Sequence, residues 1–179
     1  MSGVIYKKHQ SLDGVFSEAT YSDDGAFRYN LRRTWGSQGK KRLCFIMLNP
    51  STATEEKNDP TVERCERRAR AGDYSGLTIL NLFAYRATDP IDMKKVFDPV
   101  GPANDLFIGD ALTFAKGGSI DIICGWGTHG GHVNRDRDVL KMFDAAGVKP
   151  MALFVTKDGF PKHPLYCSYG MKPIPLLGE

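Results

Sequence analysis

Four short apolar runs, separated by segments long enough to form helices, limit the folds open to this chain. They occupy residues 43–48, 77–80, 120–124 and 151–155. The first run is apolar at every position, which is typical of a strand buried on both faces of a parallel sheet. Parallel neighbours need long crossover connections, and these are usually helical. The pattern therefore predicts an α/β fold of three layers, αβα, with a central, mainly parallel sheet of about four strands.

The first crossover carries clear helix signals. Asp59 is a suitable cap, Pro60 suits the first helical position, and Gly72 marks the end. Two more helices are predicted near residues 104–116 and 134–146, each followed by glycine. The outward face of the first helix pairs acidic and basic residues four positions apart. That spacing is typical of a solvated face, and a phosphate-binding patch is the alternative.

The segment before the first apolar run has a different pattern. Alternating apolar residues flank an Asp-Asp-Gly sequence at residues 23–25, a combination that favours a β-hairpin. We expect one domain over residues 1–179, with the hairpin at 1–36 as an extension of an α/β core at 37–179. A chain of 179 residues suits one well-buried core.

Charge, hydropathy and cysteine content narrow the functional classes. The formal net charge of +3 is well below that of a dedicated nucleic-acid binder. No apolar run reaches the ~18 residues of a membrane span, and no signal peptide is evident. The 4 cysteines are widely spaced, which indicates buried, reduced thiols rather than disulfides or a metal site. We expect a cytoplasmic protein without a membrane partner, and we expect no cofactor because no glycine-rich nucleotide loop occurs.

Polar side chains gather directly after the apolar runs. In an open parallel α/β sheet, ligands bind outside the carboxyl ends of the strands, so these residues are expected to surround one pocket. The alternative is that loops are polar everywhere and that Gly, Pro and Asn only make turns. The candidate site residues chosen in this way are Asn49, Ser51, Asn81, Arg86, Trp126, His129, Arg135 and His163.

Asn49 and His163 are the candidate catalytic residues. Asn49 is stiffened by Pro50, and its amide suits the orientation of a water or of a polar ligand edge. A turn that merely ends the strand is the alternative. His163 lies between two nearby prolines, and a neutral imidazole there can donate to developing negative charge or act as a general acid. A turn histidine without a task is the other interpretation.

The remaining candidates each have a functional and a structural interpretation. Arg86 and Arg135 suit phosphate contacts, or equally ordinary ion pairs. Trp126 can stack on a base, or it can pack in the core. His129 and His132 are close in sequence, but no third ligand is spaced to complete a metal site, so we expect no bound metal.

Several motifs carry a family resemblance that extends from about Tyr21 to the end of the chain. They are Leu-Asn-Pro-Ser-Thr at residues 48–52, Asp-Pro-Thr at 59–61, Trp-Gly at 126–127 and His-Pro-Leu-Tyr at 163–166. Through them the chain resembles an uncharacterised bacterial and phage family of unknown function. That resemblance implies a phage or prophage association and brings no activity with it.

A second resemblance is to the uracil-DNA glycosylase superfamily. Residues 45–50 look like the strand and Asn-Pro motif of its mismatch-specific branch, in which the Asn, here Asn49, positions the attacking water. Asn81 is similar to the Asn that reads the base edge, and residues 86–90 are similar to an Arg-Pro loop of some branches. His163 looks like the histidine that stabilises the departing base.

This second resemblance implies a uracil-DNA-glycosylase-like fold and a contact with the minor groove. Leu165 and Tyr166 would make that contact, as the wedge that accompanies base flipping. The chain departs from the pattern at Ser51, where the branch has Gly, and at Leu165 and Tyr166, where it has Ser-Pro. No aromatic residue follows the Asn-Pro motif closely enough to stack on a base.

The leading hypothesis is an N-glycosidic hydrolase or nucleobase-recognising protein with its pocket at the carboxyl edge of the sheet. Its partner would be a nucleobase, a nucleotide or DNA. The second hypothesis is a binding module without turnover, which the lack of a carboxylate in place of Asn49 favours. A third is a nucleotide or small-metabolite hydrolase on the same scaffold. The oligomeric state is left open.

Overall fold

The fold is a single mixed sheet with helices on both of its faces. The computed structural model describes residues 3–36 and 39–177. The predicted boundaries at residues 1, 37 and 179 lie outside this range, and the single-domain organisation stays a prediction. The strands are β1 Val4–Gln10, β2 Phe16–Ser22, β3 Arg28–Thr34, β4 Arg42–Met47, β5 Gly76–Asn81, β6 Ile120–Cys124, β7 Met151–Ala152 and β8 Ile174–Pro175. The helices are α1 Pro60–Ala71, α2 Pro90–Lys95, α3 Asn104–Lys116 and α4 Arg135–Ala146, with 3₁₀ turns at Thr128–Asn134 and Pro164–Tyr166.

The sheet has eight strands in the order β1-β2-β3-β5-β4-β6-β7-β8. The neighbours β5, β4, β6 and β7 are parallel, whereas the other four of the seven pairings are antiparallel. The α/β class is therefore confirmed, but the prediction of a mainly parallel sheet of about four strands is wrong. Strand β3 pairs with β5, with Leu31 opposite Ile79, so the N-terminal strands continue the sheet. This pairing covers an edge that the parallel strands alone would leave open.

The predicted N-terminal hairpin is present between β2 and β3. Its turn lies at residues 23–25, where Gly25 has a φ of 71°. The Asp24 carboxylate accepts a hydrogen bond of 2.6 Å from the Ser22 hydroxyl and one of 3.0 Å from the Ala26 amide. A short polar side chain therefore closes the turn, as the sequence pattern predicts. The hairpin is not an appendage, because both of its strands belong to the main sheet.

Helix α1 begins and ends where its sequence signals place it. The Asp59 carboxylate accepts a hydrogen bond of 2.8 Å from the Val62 amide, and Pro60 occupies the first turn. The helix buries Val62, Cys65 and Ala69 against the sheet, the same three positions that recur on its apolar face. Helices α3 and α4 also agree with the predicted ranges to within one residue.

The two faces of the sheet form two hydrophobic clusters. On one face, α1 packs over residues that include Phe45 and Ile79. On the other face, α3 and α4 pack over Ile46 and Cys124 among others. All four cysteines are free and buried, as predicted. No helix within the described residues is long and apolar enough to cross a membrane.

The last predicted strand is shorter than expected. Residues 151–155 form an apolar run, but β7 contains only Met151 and Ala152. Beyond them the chain turns back on itself, and Val155 forms an antiparallel bridge with Pro161. In the tight turn between them, the Thr156 hydroxyl accepts a hydrogen bond from the Phe160 amide. Hydropathy alone could not separate a strand from this loop, because both are partly buried. The loop returns the chain to the carboxyl end of the sheet.

Candidate functional site

A pocket of about 570 Å³ opens at the carboxyl ends of β4, β5 and β6. This is the edge at which ligands bind in parallel α/β sheets. Side chains from six separate segments line it, including the start of β3, the start of α1 and the loop after β7. Seven of the ten sequence-predicted site residues meet there: Asn49, Ser51, Asn81, Trp126, His129, His163 and Tyr166.

Asn49 follows β4 and is held by its own amide group. Its Nδ2 donates hydrogen bonds of 2.7 Å to the Ala87 carbonyl and 3.1 Å to the Pro50 carbonyl. With Nδ2 engaged, Oδ1 is the atom of the amide that can accept a bond from a water or a ligand. The Asn-Pro sequence therefore does more than end a strand, since it ties this loop to the segment after β5.

Asn81, the last residue of β5, is buried in the pocket wall with 1% of its surface exposed. Neither its Oδ1 nor its Nδ2 has a hydrogen-bond partner within the described residues. Burying an amide without partners is unfavourable by roughly 1–3 kcal/mol for each unsatisfied group. A side chain in this state is suited to a ligand that presents a donor and an acceptor side by side.

Trp126 lines the pocket from the end of β6. It is 2% exposed, and its indole Nε1 has no partner within the described residues. The ring lies against Gly130, where an added Cβ would stand 2.2 Å from Trp126 Cδ1. Gly130 therefore makes room for the indole, and Trp126 both packs in the core and reaches the pocket.

His163 stands in the loop after β7 and caps the 3₁₀ turn that follows it. Its Nδ1 accepts a bond of 3.4 Å from the Leu165 amide. The neutral tautomer with a proton on Nε2 fits this arrangement, and Nε2 is then a donor. Burial lowers the pKa of His163 below its usual 6.5, opposed by the nearby charge of Asp59. At neutral pH the imidazole is therefore uncharged.

Close backbone packing places the His163 loop beside the sheet. A Cβ on Gly125 would stand 2.9 Å from Pro164 Cδ, so only glycine lets the loop approach this closely. The Gly125 amide donates 2.8 Å to the Ile46 carbonyl, and the Gly127 amide donates 2.9 Å to the Pro161 carbonyl. These contacts join the end of β6 both to β4 and to the loop.

Three of the predicted site residues lie outside the pocket. Arg86 donates 3.1 Å to the Gly25 carbonyl and stacks over the Tyr21 ring at 5.3 Å, so it supports the hairpin turn. Arg135 is buried under α3, where it forms an ion pair with Asp105. Leu165 contributes its backbone amide to His163 and is not among the lining residues.

His129 and His132, which are close in sequence, make different contacts. The Nδ1 of His129 lies 2.9 Å from Lys94 Nζ at the exposed mouth of the pocket. His132 packs against the ring of Phe83, with ring centroids 5.8 Å apart. Within residues 3–36 and 39–177, no three His, Cys, Asp or Glu side chains form a group that could hold a metal ion.

Sequence reasoning missed three charged residues of the pocket, Arg28, Asp59 and Lys162. Arg28 begins β3 and had no place in a pocket predicted from the ends of parallel strands. Asp59 was assigned only to capping α1, but it also lines the cavity. The pocket therefore contains a carboxylate after all. The helix-capping position of Asp59 was the signal that could have placed it in the pocket. The start of a crossover helix lies at the same edge of the sheet as the carboxyl ends of the parallel strands.

Comparison with known protein families gives a match over most of the chain. Residues 28–165 match the family described as "Protein of unknown function (DUF1643)". The chain belongs to this family. The residues matched to the DUF1643 family include all three charged lining residues, Arg28, Asp59 and Lys162, and the loop of His163. Comparisons with curated proteins and with solved structures give no match.

Proposed function

We propose that this protein binds a nucleobase in the pocket and hydrolyses the N-glycosidic bond that joins the base to its sugar. The observation that carries the proposal is the buried amide of Asn81, whose donor and acceptor both lack partners. Base edges present a donor and an acceptor side by side, and an Asn side chain pairs with such an edge through two hydrogen bonds. A buried amide that is satisfied only by a ligand of this shape fits base recognition.

Three other lining residues are suited to separate steps of the cleavage reaction. Cleavage breaks the bond between C1′ and the base nitrogen, and its electron pair leaves with the base. His163, neutral and with Nε2–H as a donor, is suited to stabilise the oxygen on which this charge develops. The Oδ1 of Asn49, which accepts no hydrogen bond within the described residues, is suited to orient the water that attacks C1′. Asp59 in the same cavity can accept the proton that this water loses.

The core of the sheet supports the resemblance to uracil-DNA glycosylases. Four neighbouring strands, β5, β4, β6 and β7, are parallel, and helices cover both faces. The three counterparts that the resemblance names, Asn49, Asn81 and His163, line one cavity. Tyr166 is 69% exposed at the mouth of the pocket, which suits a wedge if the base is drawn from DNA.

Release of free base from candidate substrates tests the proposal. The purified protein is incubated with nucleosides, nucleotides and oligonucleotides that carry uracil, hypoxanthine or oxidised bases, and the products are separated by chromatography. We expect base release that His163→Ala and Asn49→Ala reduce by about 10²-fold or more while ligand still binds. Thr113→Ala, on the exposed side of α3, is the matched control and should release base at the unaltered rate.

The same experiment separates the enzyme from a module that only binds. Binding of a base without release, weakened in Asn81→Ala, would assign the pocket to a nucleobase sensor. No binding of any base, nucleoside or nucleotide would contradict both interpretations. Binding is followed by calorimetry on the same preparations, so that loss of turnover and loss of affinity are distinguished.

A further inference from the structure

Three arginines in the described part of the chain are almost fully buried, and one of them differs from the others. Arg33 donates from Nε and Nη2 to Asn58 Oδ1 at 3.2 and 3.0 Å, and it has backbone acceptors in addition. Arg135 forms an ion pair with Asp105. Arg28, which is 2% exposed, bonds to no other side chain within the described residues. Arg28 is also the only one of the three that lines the pocket.

The guanidinium of Arg28 is poorly satisfied by the protein. Its side chain makes one hydrogen bond within the described residues, from Nη1 to the Ala53 carbonyl at 2.6 Å. Its Nε is buried without a partner. Burial lowers the pKa of Arg28 to about 10, so the group still carries its charge at neutral pH. A buried cation that faces only a neutral acceptor is unfavourable unless an anion completes the site.

The charges around Arg28 do not neutralise it. Asp59 is the carboxylate that acts on it, and Asp59 Oδ1 already accepts a bond of 2.8 Å from the Val62 amide. The positive charges of Arg33 and Arg86 repel the charge of Arg28. The carboxylates of Glu55 and Glu66 offset the charge of Arg33, whereas Asp59 is the carboxylate that offsets the charge of Arg28. The first turn of α1, which lines the same cavity, adds the positive end of a helix dipole.

We propose that Arg28 is a phosphate subsite of the pocket and that the ligand is a free mononucleotide with a terminal phosphate. The inference rests on the proposed function, which it deepens by naming the substrate class. Paired N–H donors of a guanidinium match two oxygens of a phosphate, and charge strengthens these bonds. The same pocket then holds the base at Asn81 and the phosphate at Arg28.

Burial argues for a phosphate monoester rather than for the backbone of a polymer. Arg28 lies in the pocket wall with almost no exposed surface. A phosphodiester is linked to a sugar on both sides, so the nucleic-acid chain would have to enter and leave through the buried wall. A terminal phosphate ends the ligand and needs no such exit. The cavity of about 570 Å³ lies within the range of roughly 300–1,000 Å³ that holds small ligands.

Calorimetry with a matched ligand series tests the subsite. The unaltered protein is titrated with a nucleoside, its 5′-monophosphate and a dinucleotide in which that phosphate is a diester, at constant ionic strength. We expect the monophosphate to bind about 10- to 100-fold more tightly than the nucleoside. The dinucleotide should bind no better than the nucleoside. Equal affinity for nucleoside and monophosphate would overturn the subsite, and tight dinucleotide binding would overturn the monomeric ligand.

Variants then assign the effect to Arg28. Arg28→Met should abolish the preference for the monophosphate and leave nucleoside affinity within about threefold. Arg86→Met is the matched control, because Arg86 lies nearby but outside the pocket, and it should keep the preference. An equal loss in both variants would indicate a general electrostatic effect and would contradict the assignment. The ligand series on the unaltered protein decides the subsite even if Arg28→Met does not fold.

Inorganic phosphate separates this inference from the proposed function. In place of chloride at the same ionic strength, phosphate should raise the Tm of the unaltered protein and not that of Arg28→Met. If phosphate binds through Arg28 while no base or nucleoside binds, the subsite stands and nucleobase recognition fails. If bases bind but neither phosphate nor the monophosphate shows an effect, the proposed function stands and this inference fails.

Discussion

Gly125 and Pro164 are packed so closely that a Cβ on the glycine would stand 2.9 Å from Pro164 Cδ. The contact joins the end of β6 to the loop that carries His163, although the two residues lie far apart in the sequence. Pro164 is rigid and directly follows His163, so a shift of Pro164 also moves His163. The position of the candidate catalytic imidazole therefore depends on the absence of a side chain at position 125.

Gly125→Ala should displace the His163 loop. Overpacking of this kind destabilises a protein by about 1–3 kcal/mol, which denaturant unfolding would measure. Base release should fall further than stability alone explains, because the Nε2 donor moves away from the ligand. Gly109→Ala is the matched control: nothing lies within 4 Å of its added Cβ, and it should stabilise α3 by roughly 0.5–1 kcal/mol. Unchanged base release in Gly125→Ala would contradict the positioning role.

Asn81→Leu should stabilise the protein without ligand, because it removes two buried polar atoms that lack partners. We expect a gain of about 1–2 kcal/mol in the free energy of unfolding together with loss of nucleobase binding.

Asn104→Leu is the informative comparison for Asn81→Leu. Asn104 is also buried, but its Nδ2 donates 3.0 Å to the Asn81 carbonyl and 2.9 Å to the Leu82 carbonyl. Its loss should lower stability by about 1–3 kcal/mol. If both substitutions destabilised the protein equally, Asn81 would be a structural residue rather than a ligand contact.

The buried imidazole of His163 should make stability fall in weak acid. Its pKa is lowered in the folded state, so below pH ~6.5 the unfolded chain binds the proton more readily. Stability contributed by the neutral form is then complete above pH ~6.5 and lost as the pH falls, with a slope of at most about 1.4 kcal/mol per pH unit. His163→Gln should lack this component in urea unfolding measured between pH 7.5 and 5. Parallel curves for the two proteins would contradict it.

Arg135→Met should affect stability and leave the ligand alone. Its Nε donates 2.8 Å to the Leu82 carbonyl, which keeps a second donor in Asn104. Asp105 is 61% exposed and becomes hydrated when the ion pair is lost. We therefore expect destabilisation of about 1–2 kcal/mol and unchanged affinity for nucleosides and nucleotides. A tenfold loss of affinity for a phosphorylated ligand would return Arg135 to the list of phosphate contacts.

Sequence patterns anticipated the elements and most of the pocket for local reasons. Asp59, Pro60 and Gly72 marked the ends of α1 because capping depends on residues within one turn of the helix. Asn49, Asn81 and Trp126 were found because parallel strands bring their carboxyl ends to one edge. The same rule failed for Arg28, since it begins a strand that runs antiparallel to β5.

Local periodicity, caps and turn residues thus decided where helices α1, α3 and α4 and strands β4, β5 and β6 form and which loops face the ligand. Contacts between distant segments decided the rest. The pairing of β3 with β5 extended the sheet to eight strands and brought Arg28 to the pocket wall. Burial beneath α3 withdrew Arg135 from the surface. These outcomes depend on which segments pack against one another and bury their surfaces. The pattern of residues within one segment does not specify which distant segment it packs against.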